Sequence, residues 1–162
     1  MPNWCDNTVY LKHKDKAQLE RAFAAAKEGR LLDEFVPVPK DLQENGGWYD
    51  WCVNEWGTKW DIDLIDTDML DEDRVAVYFN SAWSPPIAWY DHMVEQGFEV
   101  EAHYNEPGMC FCGTYTNEDG EDYYEYDNLD LTDIPAELIE IYDLENYVDE
   151  MKQAEAEAEA GQ

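Results

Sequence analysis

Residues 84–106 read SPPIAWYDHMVEQGFEVEAHYNE, and this stretch decides the fold. Ser84 followed by Pro85 is a helix start: Ser suits the N-cap and Pro the first helical position, where a missing N–H is harmless. Ile87, Tyr90, Met93 and Val94 then recur at helical spacing and make one apolar face. Gly97 ends the helix, and Glu99 to Glu106 follows as a strand. The stretch is therefore a helix feeding straight into a strand.

A matching unit lies at the other end of the first hundred residues. Trp4 to Lys12 reads as a strand, with Val9 and Leu11 on one face. Asp15 and Gln18 have capping-box spacing, Leu19, Ala22, Phe23 and Ala26 form a helical stripe, and Gly29 is a suitable C′ residue. The expected helix spans 15–28. Residues 35–47 are rich in Pro and Gly and read as a loop. Trp48, Trp51 and Cys52 then share one side of a short helix. Asp61 to Asp66 reads as a strand, the run from Asp66 to Asp73 as an acidic turn, and Val75, Val77 and Phe79 as the alternating face of a further strand. The order is β-α-β-β-α-β, an α+β ferredoxin-like arrangement with two helices against one face of an antiparallel sheet.

Two extra strands are expected at 109–117 and 121–127, joined by Glu118-Asp119-Gly120. Thr132 or Asp133 caps a last helix beginning near Pro135, with Ile134, Leu138, Ile141, Leu144, Val148 and Met151 as its stripe. The expected organisation is a ferredoxin-like domain over 1–116, an acidic strand and helix extension packed on it over 117–151, and a disordered Ala/Glu tail over 152–162.

Charge is the outlying property. The 162 residues carry 39 Asp and Glu against 10 Lys and Arg, a formal net of −29. Hydrophobic residues make up 44% and aromatics 14%, which is enough for a real core. The acid is polarised: residues 1–60 hold ten acids and eight bases, 61–116 twelve acids and Arg74, and 117–162 seventeen acids and Lys152. Direct binding to nucleic acid or to an anionic membrane is disfavoured by like charge. A protein with a basic surface is the natural partner. A halophilic source or a merely solvated acidic surface is the plainer alternative. The N-terminus has no basic and apolar leader pattern and no apolar run has spanning length, so the cytoplasm, with reduced Cys5, Cys52, Cys110 and Cys112, is the expected location.

Four groups of residues together resemble the YubB-like family of phage and plasmid proteins: Met1-Pro2-Asn3-Trp4-Cys5; Trp56-Gly57-Thr58-Lys59-Trp60-Asp61; Ala82-Trp83-Ser84-Pro85-Pro86; and the spaced set Tyr104, Glu106, Gly108, Phe111 and Gly113. The resemblance covers roughly residues 1–115. It implies a ferredoxin-like fold and a mobile-element origin, where accessory proteins often subvert host machinery. It brings no catalytic residues with it, and the acidic segment after residue 117 departs from the core pattern.

The candidate sites follow from these patterns. Trp56, Trp60 and Trp83 form a candidate aromatic surface, although packing in a core is the better explanation of the tryptophans. Cys110-x-Cys112, with His103, is a candidate metal module, but its spacing is tighter than the usual zinc knuckle. The aspartates from Asp61 to Asp73 fail the calcium-loop register, since a loop begun at Asp66 has Leu70 and Asp71 where an oxygen ligand and Gly belong. No catalytic motif is present, so no enzyme, cofactor or bound metal is expected. There remain Asp119, Glu121, Asp122, Glu125 and Asp127, interleaved with Tyr124, and the helical Glu137, Glu140, Asp143, Asp149 and Glu150. Helical carboxylates three or four residues apart lie about 5–6 Å apart, near the scale of DNA phosphates. The expectation is a non-enzymatic inhibitor of a host nucleic-acid-handling protein acting by DNA mimicry. One alternative is inhibition of a host ATP-dependent protease or other machine without mimicry; another is the metal module. The terminal stripe also suits a homodimer seam.

Overall fold

The computed structural model describes residues 3–161. Its elements are β1 (Trp4–Lys12), α1 (Lys16–Lys27), α2 (Leu31–Phe35), α3 (Lys40–Asn45), α4 (Trp48–Glu55), β2 (Asp63–Met69), β3 (Arg74–Ala82), α5 (Ile87–Glu95), β4 (Glu99–Glu106), β5 (Phe111–Thr116), β6 (Gly120–Glu125), α6 (Ala136–Ile141) and α7 (Leu144–Ala160). The six strands form one antiparallel sheet in the order β2-β3-β1-β4-β5-β6. The first four strands in that order, with α1 and α5, are the ferredoxin-like unit expected from the sequence. Strands β5 and β6 extend it beyond β4.

Alternation along the strands builds two cores. Val9, Leu11, Val75, Val77, Phe79, Val100 and Ala102 point to one face, where α1 contributes Leu19 and Ala22 and α5 contributes Trp89, Tyr90 and Met93. Cys112 lies opposite Asn105 in the ladder, so it shares the other face with Asn105 and His103. On that face Cys112 packs with Tyr126, Leu129, Ile134, Leu138, Leu144 and Val148, which form the second core under α6 and α7. The acidic C-terminal segment is thus a layer on the opposite face from α1 and α5. Tyr126 anchors it by donating to Asn105 Oδ1 at 2.5 Å, and Tyr147 by donating to the Pro107 carbonyl at 2.8 Å.

Several local expectations are corrected. Asp15 caps α1 by accepting from the Ala17 N–H at 3.0 Å, but its own N–H donates to His13 Nδ1, so no reciprocal capping box forms. The expected 35–47 loop contains α3, entered after Pro39 and closed by Gly46 at φ +85°, a left-handed position glycine accepts without strain. Strand β2 begins at Asp63 and runs on to Met69, because pairing with β3 as far as Met69–Val75 satisfies backbone groups the sequence assigned to a turn; a bulge between Leu64 and Asp66 absorbs the shift. Helix α5 starts at Ile87 instead of Pro85: Pro86 holds a non-helical ψ of 62° at the N-cap, no side chain caps the helix, and the Ser84 hydroxyl donates instead to the Gly57 carbonyl at 2.6 Å. The single C-terminal helix is two, broken at Asp143 with φ +50°. The Ala/Glu stretch expected to be disordered is the exposed end of α7, in keeping with the high helix propensity of both residues.

Candidate interaction surfaces

The two aromatic runs meet in space. Gly57, at φ +88°, lies so close to α5 that a Cβ there would be 3.2 Å from the Ile87 nitrogen, which explains the glycine. Thr58 donates to the Ala82 carbonyl at 2.9 Å, tying the 57–60 turn to the end of β3 as the Ser84–Gly57 bond does from the other side. Trp56 is not on the surface: its side chain is in the first core and its Nε1–H donates to the Val36 carbonyl at 2.9 Å. Trp60 is half-buried, with its ring 6.3 Å from that of Trp4. Trp83 is 42% exposed and carries φ +68°, a left-handed backbone that a bulky residue rarely holds without cause. Lys59 joins these rings, its Nζ lying 4.7 Å from the Trp60 centroid, 5.0 Å from Trp83 and 5.8 Å from Tyr49. Exposed Trp48 and Tyr49 on α4 complete the surface. Sequence reasoning did not single out this pair as surface: it placed Trp48 on the apolar side of a short helix with Trp51 and Cys52, whereas Trp48 and Tyr49 are both exposed. Beside them a shallow apolar depression of about 300 Å³ is lined by Val38, Trp48, Cys52, Trp56 and Trp60.

The acidic residues fall into two sets. On β6, Glu121 and Glu125 share the face of α1 and α5, where they accept from Tyr104 Oη at 2.5 Å and Tyr123 Oη at 3.0 Å. Asp122 and half-buried Tyr124 point to the other face, and exposed Asp119 and Asp127 flank the strand. On the helices, Glu140, Asp149 and Glu150 are exposed, Asp143 is the residue at the break, and Glu137 Oε1 accepts from His103 Nε2 at 3.0 Å. Strand alternation therefore separates Glu121 and Glu125 from the α6–α7 acids. Among the described residues, the acids after residue 117 make a single ion-pair contact, that of Glu137 with His103.

The cysteine module is not assembled. Cys110 lies outside β5 at φ +57°, and its thiol donates to the Pro107 carbonyl at 3.4 Å. Burial raises the Cys110 thiol and pushes Cys112 up to about 11. Burial likewise pushes Cys52 up to about 11 and Cys5 higher still. The ring of His103 meets Glu101 and Glu137 in place of the cysteines.

A family model described as a ferredoxin-like domain in Api92-like protein matches residues 55–158. The match takes in β2 to β6, α5, α6 and most of α7, so the acidic C-terminal layer falls inside the matched region. No curated protein and no solved structure gives a significant match. No helix among the described residues is long and apolar enough to cross a membrane.

Proposed function

We propose a binding role for this chain, which belongs to the family of ferredoxin-like domains in Api92-like proteins. It is a non-enzymatic accessory protein of a phage or plasmid, working in the host cytoplasm, and it inhibits a host protein by docking its acidic layer on a basic surface. The observation that carries this reading is the concentration of charge: seventeen acids and Lys152 alone after residue 117, at exposed positions of β6, α6, α7 and the turns between them. Charge that is not neutralised within the fold is available to a partner and steers its approach. A host defence or repair complex that handles nucleic acid has a surface of the right sign, and DNA mimicry is the corresponding mechanism.

The test is capture of partners from a bacterial host lysate, with affinity for the captured protein then measured at low and moderate salt. Mimicry requires a nucleic-acid-handling partner whose binding weakens steeply with salt. It also requires that Glu140→Gln, Asp149→Asn and Glu150→Gln together weaken binding while Trp83→Ala does not. Affinity that is flat with salt overturns it.

A second reading rests on Trp83, exposed and held at a left-handed φ beside Lys59. Here the partner is a host protease or other ATP-driven machine gripped by the aromatic surface. Trp83→Ala and Trp48→Ala then abolish binding and the acidic substitutions leave it intact.

A further inference from the structure

We infer that Glu101, His103 and Glu137 form a binding site for one divalent transition-metal ion of the zinc, cobalt or nickel kind. Glu101 and His103 are two residues apart on β4 and so project from the same face of the sheet, while Glu137 reaches them from the first turn of α6. His103 Nε2 stands 3.0 Å from Glu137 Oε1, and the ligand atoms of all three residues lie within 4.8 Å of one another. Ligands bound to one ion at about 2.1 Å are themselves separated by about 3.0–3.4 Å, so the His103–Glu137 pair already stands at coordination spacing. Glu101 is exposed and needs only a side-chain adjustment to close the set.

The histidine distinguishes this group from the many carboxylate pairs on the protein. Its ring is 4% exposed and fixed by the sheet, and its Nδ1 has no hydrogen-bond partner. A buried structural imidazole normally satisfies both nitrogens; this one stands across the ladder from Thr8 and Thr114, with the carboxylates of Glu101 and Glu137 within reach of its ring. An ion held at Nε2 leaves the ring proton on Nδ1, a buried unpaired N–H, so the site should bind more weakly than a closed structural zinc site. Imidazole with two carboxylates favours borderline transition metals over magnesium or calcium, which prefer all-oxygen shells. The Glu137 side chain is 61% exposed, so the ion can enter from solvent. Three protein ligands leave a position for water. Because the ligands come from β4 and α6, the ion would clamp the acidic layer to the sheet.

The test is calorimetric titration of chelator-stripped protein with Zn²⁺ and with Co²⁺, in a large excess of Mg²⁺ that occupies non-specific acidic positions. The expected result is one equivalent bound, with a rise in melting temperature. Glu101→Gln and Glu137→Gln should each weaken the affinity about tenfold or more, and Glu150→Gln, an equal change of charge on α7, should leave it unaltered. Both test substitutions are at exposed positions, so loss of folding does not confound them. Absence of saturable binding under Mg²⁺ overturns the site, and so does undiminished binding in the Glu101→Gln, Glu137→Gln double variant, which would place the ion elsewhere.

Discussion

Asp61 accepts three backbone N–H groups, from Leu32 and Asp33 at 2.9 Å and from Ile62 at 2.8 Å, and so caps α2 across the chain. Asp61→Ala leaves those donors without their acceptor and should destabilise the protein by about 1–3 kcal/mol in urea unfolding. Burial raises the Asp61 carboxyl above its usual range, and burial does the same to Asp6. A carboxyl whose folded pKa is raised binds its proton more tightly in the folded state. Its contribution is therefore most favourable at low pH and is lost as pH rises from about 4 through the raised value. Thermal melts should accordingly show a component of the midpoint that falls as pH rises from about 4, and that component should be smaller in Asp61→Asn. Gly113 makes a different demand, one of space: a Cβ there would lie 2.3 Å from both the Asp122 carbonyl and Tyr104 Oη. Gly113→Ala should destabilise by about 1–3 kcal/mol or more, since neither the ladder nor the packed ring can move away cheaply.

At the scale of elements, α6 and the first turns of α7 belong to the packed structure and the end of α7 does not. Leu138 is fully buried in the second core, and Leu138→Ala should cost about 2–5 kcal/mol. Hydrogen exchange should speed up across α6 and α7 in that variant. Residues 151–160 are exposed throughout. Removing residues 153–162 should change stability by less than about 0.5 kcal/mol while the far-ultraviolet helix signal falls. The apolar stripe from Ile134 to Met151 was readable in the sequence, but not its division at Asp143. Ile134, Leu138, Leu144 and Val148 of that stripe are buried, but Ile141 and Met151 are exposed, because a left-handed residue that redirects the chain leaves no periodic trace.

For the whole molecule the governing quantity is a net charge of −29. Self-repulsion on this scale is screened over about 10 Å at 0.1 M salt, so the melting temperature should rise as sodium chloride is raised from low to moderate concentration. Affinity for a basic partner should move in the opposite direction, which separates the two effects in one series of buffers. The β-α-β-β-α-β order, the two extra strands and the buried faces of β1 and β3 were determined by the sequence alone, because periods of two and 3.6 residues are local properties of the chain. Only the tertiary structure decided that Trp56 is core while Trp83 is exposed, since identical side chains are sorted by what the turns place beside them. Only it decided that Cys110 leaves the strand and that β2 continues through an apparently acidic turn, because a backbone hydrogen-bond partner on a neighbouring strand outweighs local composition. It also decided that His103 meets Glu137, 34 residues away in the chain. That contact depends on which face of the sheet the last helices cover, a matter of packing between distant segments that no local pattern encodes.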